Sequence, residues 1–198
     1  MDAPAATGAP PRYSIARYPT AMIDRLPLAD GRVVTVRPVL PQDAELTQRF
    51  VAALSPETRY RRFQMGVGAL PPALLRHFTE IDYAGHLALL AAVVDEDGDE
   101  RQVADVRYVV DAKSAGSVAR DADFALVVAD GWQGVGLGAE LIRRTMRAAR
   151  ARGLARLHGE VLASNASMLG LLDRFGARLR SRADDARLVD AWIELRGG

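Results

Sequence analysis

Cysteine is absent from this 198-residue chain, and Lys113 is its single lysine. Without cysteine the chain has no disulfide bond, thiolate zinc site or cysteine nucleophile. The histidines, His77, His86 and His158, include no His-x-x-x-His pair, so a histidine-rich metal site is not expected. No run approaches the roughly 18 apolar residues of a membrane span, and residues 1–14 lack the features of a signal peptide. We therefore expect a cytoplasmic protein with no metal and no membrane contact.

Neither acidic nor basic residues predominate. The 26 basic and 25 acidic residues leave a net charge of +1, so electrostatics give no reason to expect nucleic acid as a partner. Hydrophobic residues make up 49% of the chain, whose length is enough to bury one sizeable core. We expect one domain over residues 31–198. Residues 1–30, rich in Ala, Pro and Gly and without periodicity, are expected to form a flexible or loosely docked arm.

The spacing of apolar residues and helix-start signals predicts seven strands and five helices. The first strand, at 33–38, is followed by three helices at 41–54, 55–63 and 71–81. The later elements are strands at 86–94, 103–110 and 122–129, a helix at 139–152, a strand at 157–162, a helix at 165–175, and strands at 177–183 and 187–195. This order predicts an α+β fold, with a mixed, mostly antiparallel six- to seven-stranded sheet flanked by helices.

A glycine-rich turn after the fourth predicted strand carries the clearest chemical signal. Gln133-Gly-Val-Gly-Leu-Gly138 lies between this strand and a long predicted helix. Glycines let the backbone approach a ligand closely, and the unpaired N–H groups at the start of the helix form a site for phosphate oxygens. The turn therefore predicts a cofactor that carries a diphosphate.

One interpretation of this turn is a dinucleotide site. Gly134-Val-Gly-Leu-Gly-Ala139 fits the pattern G-x-G-x-x-A, and Glu160, about 20 residues further on, could bind a ribose hydroxyl. A doubly wound nucleotide fold places this turn after its first strand, however, and needs several more β-α units. Only 60 residues follow Gly138, which is too few for that fold.

The turn also resembles the Q/R-x-x-G-x-G/A signature of the GNAT superfamily of acyl-CoA N-acyltransferases. The resemblance covers residues 31–195. Residues 54–63, 81–89 and 128–133 are similar to the acetyltransferase domain of bacterial protein-lysine acetyltransferases, the type that modifies acyl-CoA synthetases. The resemblance implies the GNAT fold and transfer of an acetyl group from acetyl-CoA to a primary amine.

Several acceptors and partners are compatible with that resemblance. A protein lysine is the first expectation, with an acyl-CoA synthetase or another protein as the partner. A small amine, such as a polyamine, an amino acid or an aminoglycoside, is the alternative acceptor. A third interpretation is a CoA-binding regulatory module with little catalytic power. Similar domains often pair through their sheet edges, so a homodimer is also considered.

The resemblance also assigns roles to single residues. Asp123 takes the place of a glutamate and is expected to help remove the proton of the acceptor, directly or through water. Asn165 is expected to contact the cofactor arm, although it can equally be a plain helix cap. Leu172 stands where many of these enzymes have a tyrosine acid, so no general acid is assigned. The residues expected to bind acetyl-CoA are Leu126, Val127, Val128, Gln133, Gly134, Val135, Gly136, Leu137, Gly138, Ala139 and Asn165.

Other side chains near these motifs have a structural and a functional interpretation. His86 precedes an apolar strand and is expected to pack in the core, while Asp82 and Tyr83 could line the acceptor entrance. Arg61 and Arg62 are expected to lie on a solvated basic face, although the 3′-phosphate of CoA would favour a cation.

Overall fold

Eight strands form one mixed sheet, flanked by five α-helices, in the part of the chain that the structure describes. This structure is a computed structural model that describes residues 15–64, 68–111 and 120–195. The strands are β1 (Asp24–Pro27), β2 (Val33–Pro38), β3 (His86–Val94), β4 (Glu100–Val110), β5 (Arg120–Val128), β6 (Leu154–Leu162), β7 (Arg178–Ser181) and β8 (Leu188–Glu194). The helices are α1 (Ala44–Ala53), α2 (Pro56–Phe63), α3 (Pro72–Thr79), α4 (Leu137–Ala151) and α5 (Ala166–Asp173). The strand order is β1-β2-β3-β4-β5-β6-β8-β7.

The predicted elements are all present, but two strands start three residues earlier than their apolar runs indicated. β4 begins at Glu100, which pairs with Val94 across the β3–β4 turn. β6 begins at Leu154, which pairs with Arg120 of β5. In both cases a neighbouring strand extends the pairing past the end of the apolar pattern, so the tertiary partner sets the boundary.

An eighth strand, β1, lies inside the segment that was predicted to be an arm. It pairs antiparallel with β2, with Asp24 opposite Val36. Upstream of it, the Tyr18 ring packs edge-on against Tyr83 with 5.5 Å between ring centroids, and the Tyr18 hydroxyl donates to the carbonyl of Pro38. The side chains of β1 are exposed or half-buried, so no apolar alternation marks this strand. The sheet therefore begins at Asp24, within residues 1–30.

The direction of pairing between β5 and β6 differs from that of the other described strands. All other neighbouring strands are antiparallel, and β5 and β6 are the parallel pair among the described strands. A doubly wound nucleotide-binding fold requires a largely parallel sheet. The dinucleotide interpretation of the glycine-rich turn is therefore wrong.

Two hydrophobic clusters hold the helices on the sheet. The larger one includes the apolar stripe of α4 predicted from the sequence, and Leu141, Ile142 and Ala149 of that stripe are fully buried. The smaller cluster joins α1 and α3 to β5 through Phe50, Phe78 and other side chains, with Val127 as the contribution of β5. Since side chains alternate along a strand, Leu126 and Val128 point to the opposite side, where they pack against the larger cluster.

A buried ion pair fixes the end of α3. Arg107 and Asp105 on β4 form a pair at 2.6 Å, with side chains 5% and 3% exposed. The guanidinium of Arg107 lies 3.7 Å from the centre of the Phe78 ring and donates to the Phe78 carbonyl. Breaking such a pair leaves an uncompensated buried charge. Arg107 is therefore a structural anchor for the last turn of α3.

His86 packs beside this anchor, as the sequence predicts. Its side chain is 2% exposed, and its ring lies 5.1 Å from that of His77. Burial, together with the positive charge of Arg107, lowers the pKa of His86 to about 3. The idea that Asp82 and Tyr83 line an acceptor entrance is wrong: Tyr83 is 1% exposed, and Asp82 accepts the backbone N–H groups of residues 84–86.

Candidate active site

A cavity of about 730 Å³ opens where β5 and β6 separate. The two strands pair from Arg120–Leu154 to Asp123–His158, and no described pairing continues beyond that point. The cavity is lined by β5, β6, the glycine-rich turn and α5. Of the residues predicted to bind the cofactor, the cavity wall includes Leu126, Val127, Val128, Gln133, Gly134, Val135, Gly136, Gly138, Ala139 and Asn165.

The open edge of β5 presents backbone groups to this cavity. Ala129 donates its N–H to Val103 at the edge of β5 that faces β4. Backbone groups alternate in direction along an antiparallel ladder, so those of Leu126 and Val128 face the opposite side, where β6 has moved away. The Val128 carbonyl accepts a 3.0 Å hydrogen bond from the Gln133 side chain. Backbone N–H groups on this edge are available to a ligand.

The glycine-rich turn adopts a conformation that favours glycine. Gly134 has φ 75° and Gly136 has φ 90°, and Gly136 is the N-cap residue of α4. The first N–H groups of α4 consequently have no partner within the helix, which creates a site for anionic oxygens. Leu137 is the exception among the predicted residues: its side chain is fully buried in the core, and it does not line the cavity.

A hydrogen-bond network ties α2 to the beginning of the same turn. Asp130 accepts from the Ser55 N–H, from the Ser55 hydroxyl at 2.8 Å and from the Thr58 hydroxyl at 2.6 Å. Burial opposes ionisation of Asp130, but the hydrogen bonds from Thr58 and Ser55 outweigh it and lower the pKa of this carboxyl. Ser55 also caps α2 by accepting the Thr58 N–H. The network holds α2 in place as one wall of the cavity.

Asn165 combines the two roles considered for it. Its side-chain oxygen accepts from the Met168 N–H at 3.3 Å and from the Ser167 hydroxyl at 3.0 Å, which is a helix cap for α5. The same residue lines the cavity. Leu172, further along α5, is 3% exposed and carries no group that could donate a proton.

Asp123 lies at the vertex where the two strands separate, and its side chain is open to solvent on one side. Burial raises the pKa of the Asp123 carboxyl, while the nearby His158 and Arg62 oppose this shift. Gly159 of β6 lies close by, and a Cβ there would come 2.7 Å from the carbonyl oxygen of Phe124, so only glycine fits. Asp123 does not line the cavity itself, whereas Phe124 and His158 do.

Sequence reasoning did not select the arginines of this cavity. Arg61 and Arg62 of α2, Arg143 of α4 and Arg174 after α5 all lie in its wall. Arg62 is half-buried, and its Nε has no hydrogen-bond partner among the described residues. Arg143 stands on the helix directly behind the glycine-rich turn, a position from which its contribution could have been suspected. Arg61 and Arg143 form ion pairs with Glu57 and Glu140 of their own helices, so the positive charge of the cavity wall is compensated in part. The remaining charge favours an anionic ligand.

Two other kinds of site were sought in the described ranges. No group of three or more histidine or carboxylate side chains there is arranged to hold a metal ion. None of the described helices combines the length and apolar composition that crossing a bilayer requires.

Comparisons with known proteins were made for sequence and for structure. The sequence model of the Acetyltransferase (GNAT) family matches residues 67–177. The chain is 34% identical over 162 residues to acetyltransferase PA5475 of Pseudomonas aeruginosa, covering 82% of this chain and 84% of that protein. It is 37% identical over 147 residues to acetyltransferase Pat of Mycolicibacterium smegmatis, covering 74% of this chain and 42% of that protein.

The comparison of structures identifies the same family. The crystal structure of the GNAT domain of S. lividans PAT superposes with a TM-score of 0.79 at 28% identity, covering 89% of this chain and 99% of that domain. The family match includes β5, β6, the glycine-rich turn, α4 and α5. The chain therefore belongs to the Acetyltransferase (GNAT) family and is an acetyl-CoA-dependent N-acetyltransferase.

Proposed function

We propose that this enzyme acetylates the side-chain amine of a protein lysine. The observation that carries the proposal is one cavity that runs from the glycine-rich turn to the vertex of β5 and β6, where Asp123 lies beside its wall residues Phe124 and His158. The similarity to Pat of M. smegmatis and to S. lividans PAT supports a protein acceptor. The chain spans less than half the length of the M. smegmatis protein, so the resemblance extends to its acetyltransferase part.

The cavity fits acetyl-CoA in both charge and backbone geometry. The diphosphate would lie at the turn formed by Gly134 and Gly136, where α4 begins and where Arg143 and Arg174 add positive charge. The pantetheine arm would lie along the open edge of β5, with the N–H groups of Leu126 and Val128 directed at it. Acetyl-CoA supplies the acyl group as a thioester, and a backbone N–H close to the thioester oxygen would stabilise the negative charge that develops there.

Asp123 is the candidate base in this arrangement. An acceptor amine is protonated at neutral pH and has to lose a proton before it can attack a carbonyl carbon. Because burial raises the pKa of Asp123, its carboxylate is a stronger proton acceptor than a fully solvated aspartate. The proton passes to this carboxylate directly or through a water molecule. Leu172 offers no proton. The leaving thiolate therefore takes its proton from solvent, or receives a proton that the acceptor nitrogen loses.

The shape of the acceptor side supports a macromolecular substrate. Asp123 at the vertex is exposed. A lysine side chain that projects from the surface of another protein could reach this vertex without entering a closed pocket. A small amine, by contrast, would need its own enclosing contacts.

The decisive experiment measures thiol release from acetyl-CoA with two groups of acceptors. One group contains acyl-CoA synthetases and other proteins with exposed lysines, and the other contains polyamines, amino acids and aminoglycosides. Mass spectrometry then locates the acetyl group. For at least one protein lysine we expect a kcat/KM about 100-fold or more above the kcat/KM of every small amine. The reason is that binding contacts outside the reacting amine add to transition-state stabilisation. Acetylation of small amines alone would contradict a protein acceptor and favour a small-molecule acceptor. No transfer to any amine would favour a CoA-binding module.

Calorimetric titration supplies an independent check on the cofactor. We expect acetyl-CoA to bind and NAD(H) not to bind. Binding of the dinucleotide without binding of CoA would contradict the proposed use of the cavity.

A further inference from the structure

A histidine–carboxylate pair stands next to the candidate base. His158 on β6 and Asp111 at the end of β4 lie on either side of β5, and the His158 Nε2 is 2.9 Å from the Asp111 Oδ2. A carboxylate oxygen accepts hydrogen bonds, so Nε2 carries the hydrogen in this pair. Nδ1 then keeps its lone pair, and no described residue hydrogen-bonds to it. Asp111 thus fixes both the orientation and the tautomer of the ring.

The pair is placed at the vertex of the cavity. His158 is the register partner of Asp123, and it lines the cavity wall, which Asp123 does not. Its side chain is 38% exposed. An amine that comes to the vertex from the cavity therefore meets the imidazole, and the imidazole is also in contact with bulk water.

We infer that His158, oriented by Asp111, relays the proton of the acceptor amine from Asp123 to water. This inference rests on the proposed function, since it requires an amine at the vertex. An N–H bond of the ammonium breaks as an O–H bond forms at Asp123. That O–H bond then breaks as an N–H bond forms at the His158 Nδ1, and the positive charge moves onto an imidazolium between two carboxylates. The ring then releases the proton to water. This exit matches the whole reaction, in which an ammonium and a thioester give an amide, a thiol and one proton.

The charges around His158 support a temporary imidazolium. Asp111 faces it from β4 and Asp123 from β5, and two carboxylates stabilise a cation between them. Two ion pairs lie nearby, Asp121 with Arg156 at 2.5 Å and Glu160 with Arg182. The remaining cation is Arg62 on α2, whose positive charge acts on Asp123.

The test begins with His158→Gln, which keeps a polar side chain of similar size but takes up no proton. We expect kcat to fall about 10- to 100-fold at neutral pH and the Kd for acetyl-CoA to change less than about 3-fold. His77→Gln is the matched control, because His77 lies on α3 and does not line the cavity. It should leave kcat within about 2-fold of the wild type. Circular dichroism checks that both variants are folded.

Two further measurements separate proton transfer from a packing role. In His158→Ala, added imidazole should restore part of the lost activity, because a free base can enter the space that the ring has left. Asp111→Asn should lower kcat less than His158→Gln does and shift the acidic limb of the pH profile, since the ring keeps its place but loses its fixed tautomer. If His158 only packed against its neighbours, imidazole would not restore activity and Asp111→Asn would not shift the pH profile.

The outcomes distinguish this inference from the proposed function. If the wild type acetylates a protein lysine and His158→Gln is equally active, the inference is wrong and the proposed function stands. Loss of activity in His158→Ala that neither imidazole nor higher pH restores would also overturn the inference. If the wild type acetylates no amine, the proposed function falls and the inference falls with it.

Discussion

The two edges of β5 differ along the same stretch of backbone. On one edge, β4 pairs with β5 over its whole length, from Val110–Ala122 to Ala104–Val128. On the other edge, β6 follows β5 only from Arg120 to Asp123 and then moves away. The paired edge lies among buried residues such as Val106 and Tyr108, whereas the open edge borders the cavity.

This difference explains how one strand serves both stability and function. Backbone N–H groups have to be satisfied by a strand, by water or by a ligand. The paired edge satisfies them within the protein and holds the strand in place. The open edge leaves them for a ligand, and the paired edge keeps them in a fixed position. A binding site formed by a missing strand needs a rigid strand on the other side.

The largest effect is expected at the vertex between the two edges. Asp123→Asn keeps the size of the side chain but cannot take up a proton, so kcat should fall roughly 10²- to 10⁴-fold while affinity for acetyl-CoA changes little. Higher pH should restore part of the rate, because more of the amine is then neutral. Asp190→Asn on β8, whose carboxylate binds Arg180, is the matched control. Full activity of Asp123→Asn at neutral pH would show that the proton leaves by another route.

The next effect concerns the open edge itself. A Cβ at Gly138 would lie 3.3 Å from Leu171 and 3.4 Å from Leu126, so the methyl groups of Gly138→Val would fill space between α5 and β5. We expect the Kd for acetyl-CoA, measured by calorimetry, to rise about 10- to 100-fold, in line with the cost of overfilling a packed site.

The control for that substitution is Gly68→Val, since a Cβ at Gly68 meets no atom within 4 Å. It should bind acetyl-CoA like the wild type. Normal binding by Gly138→Val would mean that the cofactor does not use the open edge near α5.

A smaller effect is expected where α2 is tied to the cofactor turn. Asp130→Asn replaces a carboxylate that accepts three hydrogen bonds, so Ser55 and Thr58 lose part of their anchor. We expect the Kd for acetyl-CoA to rise about 3- to 10-fold, because α2 contributes Thr58, Arg61 and Arg62 to the wall of the cavity. Asp95→Asn removes a similar turn carboxylate in the distant β3–β4 turn and serves as the control. Equal Kd values for Asp130→Asn and the control would contradict a role of α2 in the cavity.

The smallest effect on activity is expected in β3, on the side of β4 away from β5, where the change concerns stability. His86 has an ordinary pKa of 6.5 when unfolded and a pKa of about 3 when folded. Between these values the unfolded chain binds a proton that the folded chain does not, so stability falls as pH falls. From pH 7 to pH 5 this single group should remove about 2 kcal/mol from the free energy of unfolding. In His86→Leu, the free energy of unfolding, measured with urea at pH 7 and pH 5, should fall by about 2 kcal/mol less than in the wild type. An equal fall in both proteins would contradict this prediction.

Much of the fold was readable from the order of residues. The alternation in β2, the apolar run of β3, the apolar stripe of α4 and the proline-led starts of α2 and α3 predict their elements within three residues. The glycine-rich turn was recognisable as well, because only glycine readily adopts the φ of 90° found at Gly136. These features depend on neighbours in sequence.

The individual site residues divide in the same way. The turn and the strand before it could be placed together because they are consecutive in sequence. Arg174 and His158 could not be placed there, because nothing local marks an arginine or a histidine as facing a cavity. Leu137 was assigned to the cofactor from its position in the turn, yet the rotation of α4 directs its side chain into the core.

The sequence by itself determined the types of element, the glycine-rich turn and the absence of cysteine chemistry, since each follows from local conformation or composition. Only the tertiary structure decided that β1 joins the sheet, that β6 leaves β5 after Asp123, and that Asp111 meets His158 across β5. Those three results depend on contacts between segments far apart in the chain, whose free energies come from pairing and packing rather than from the preferences of single residues.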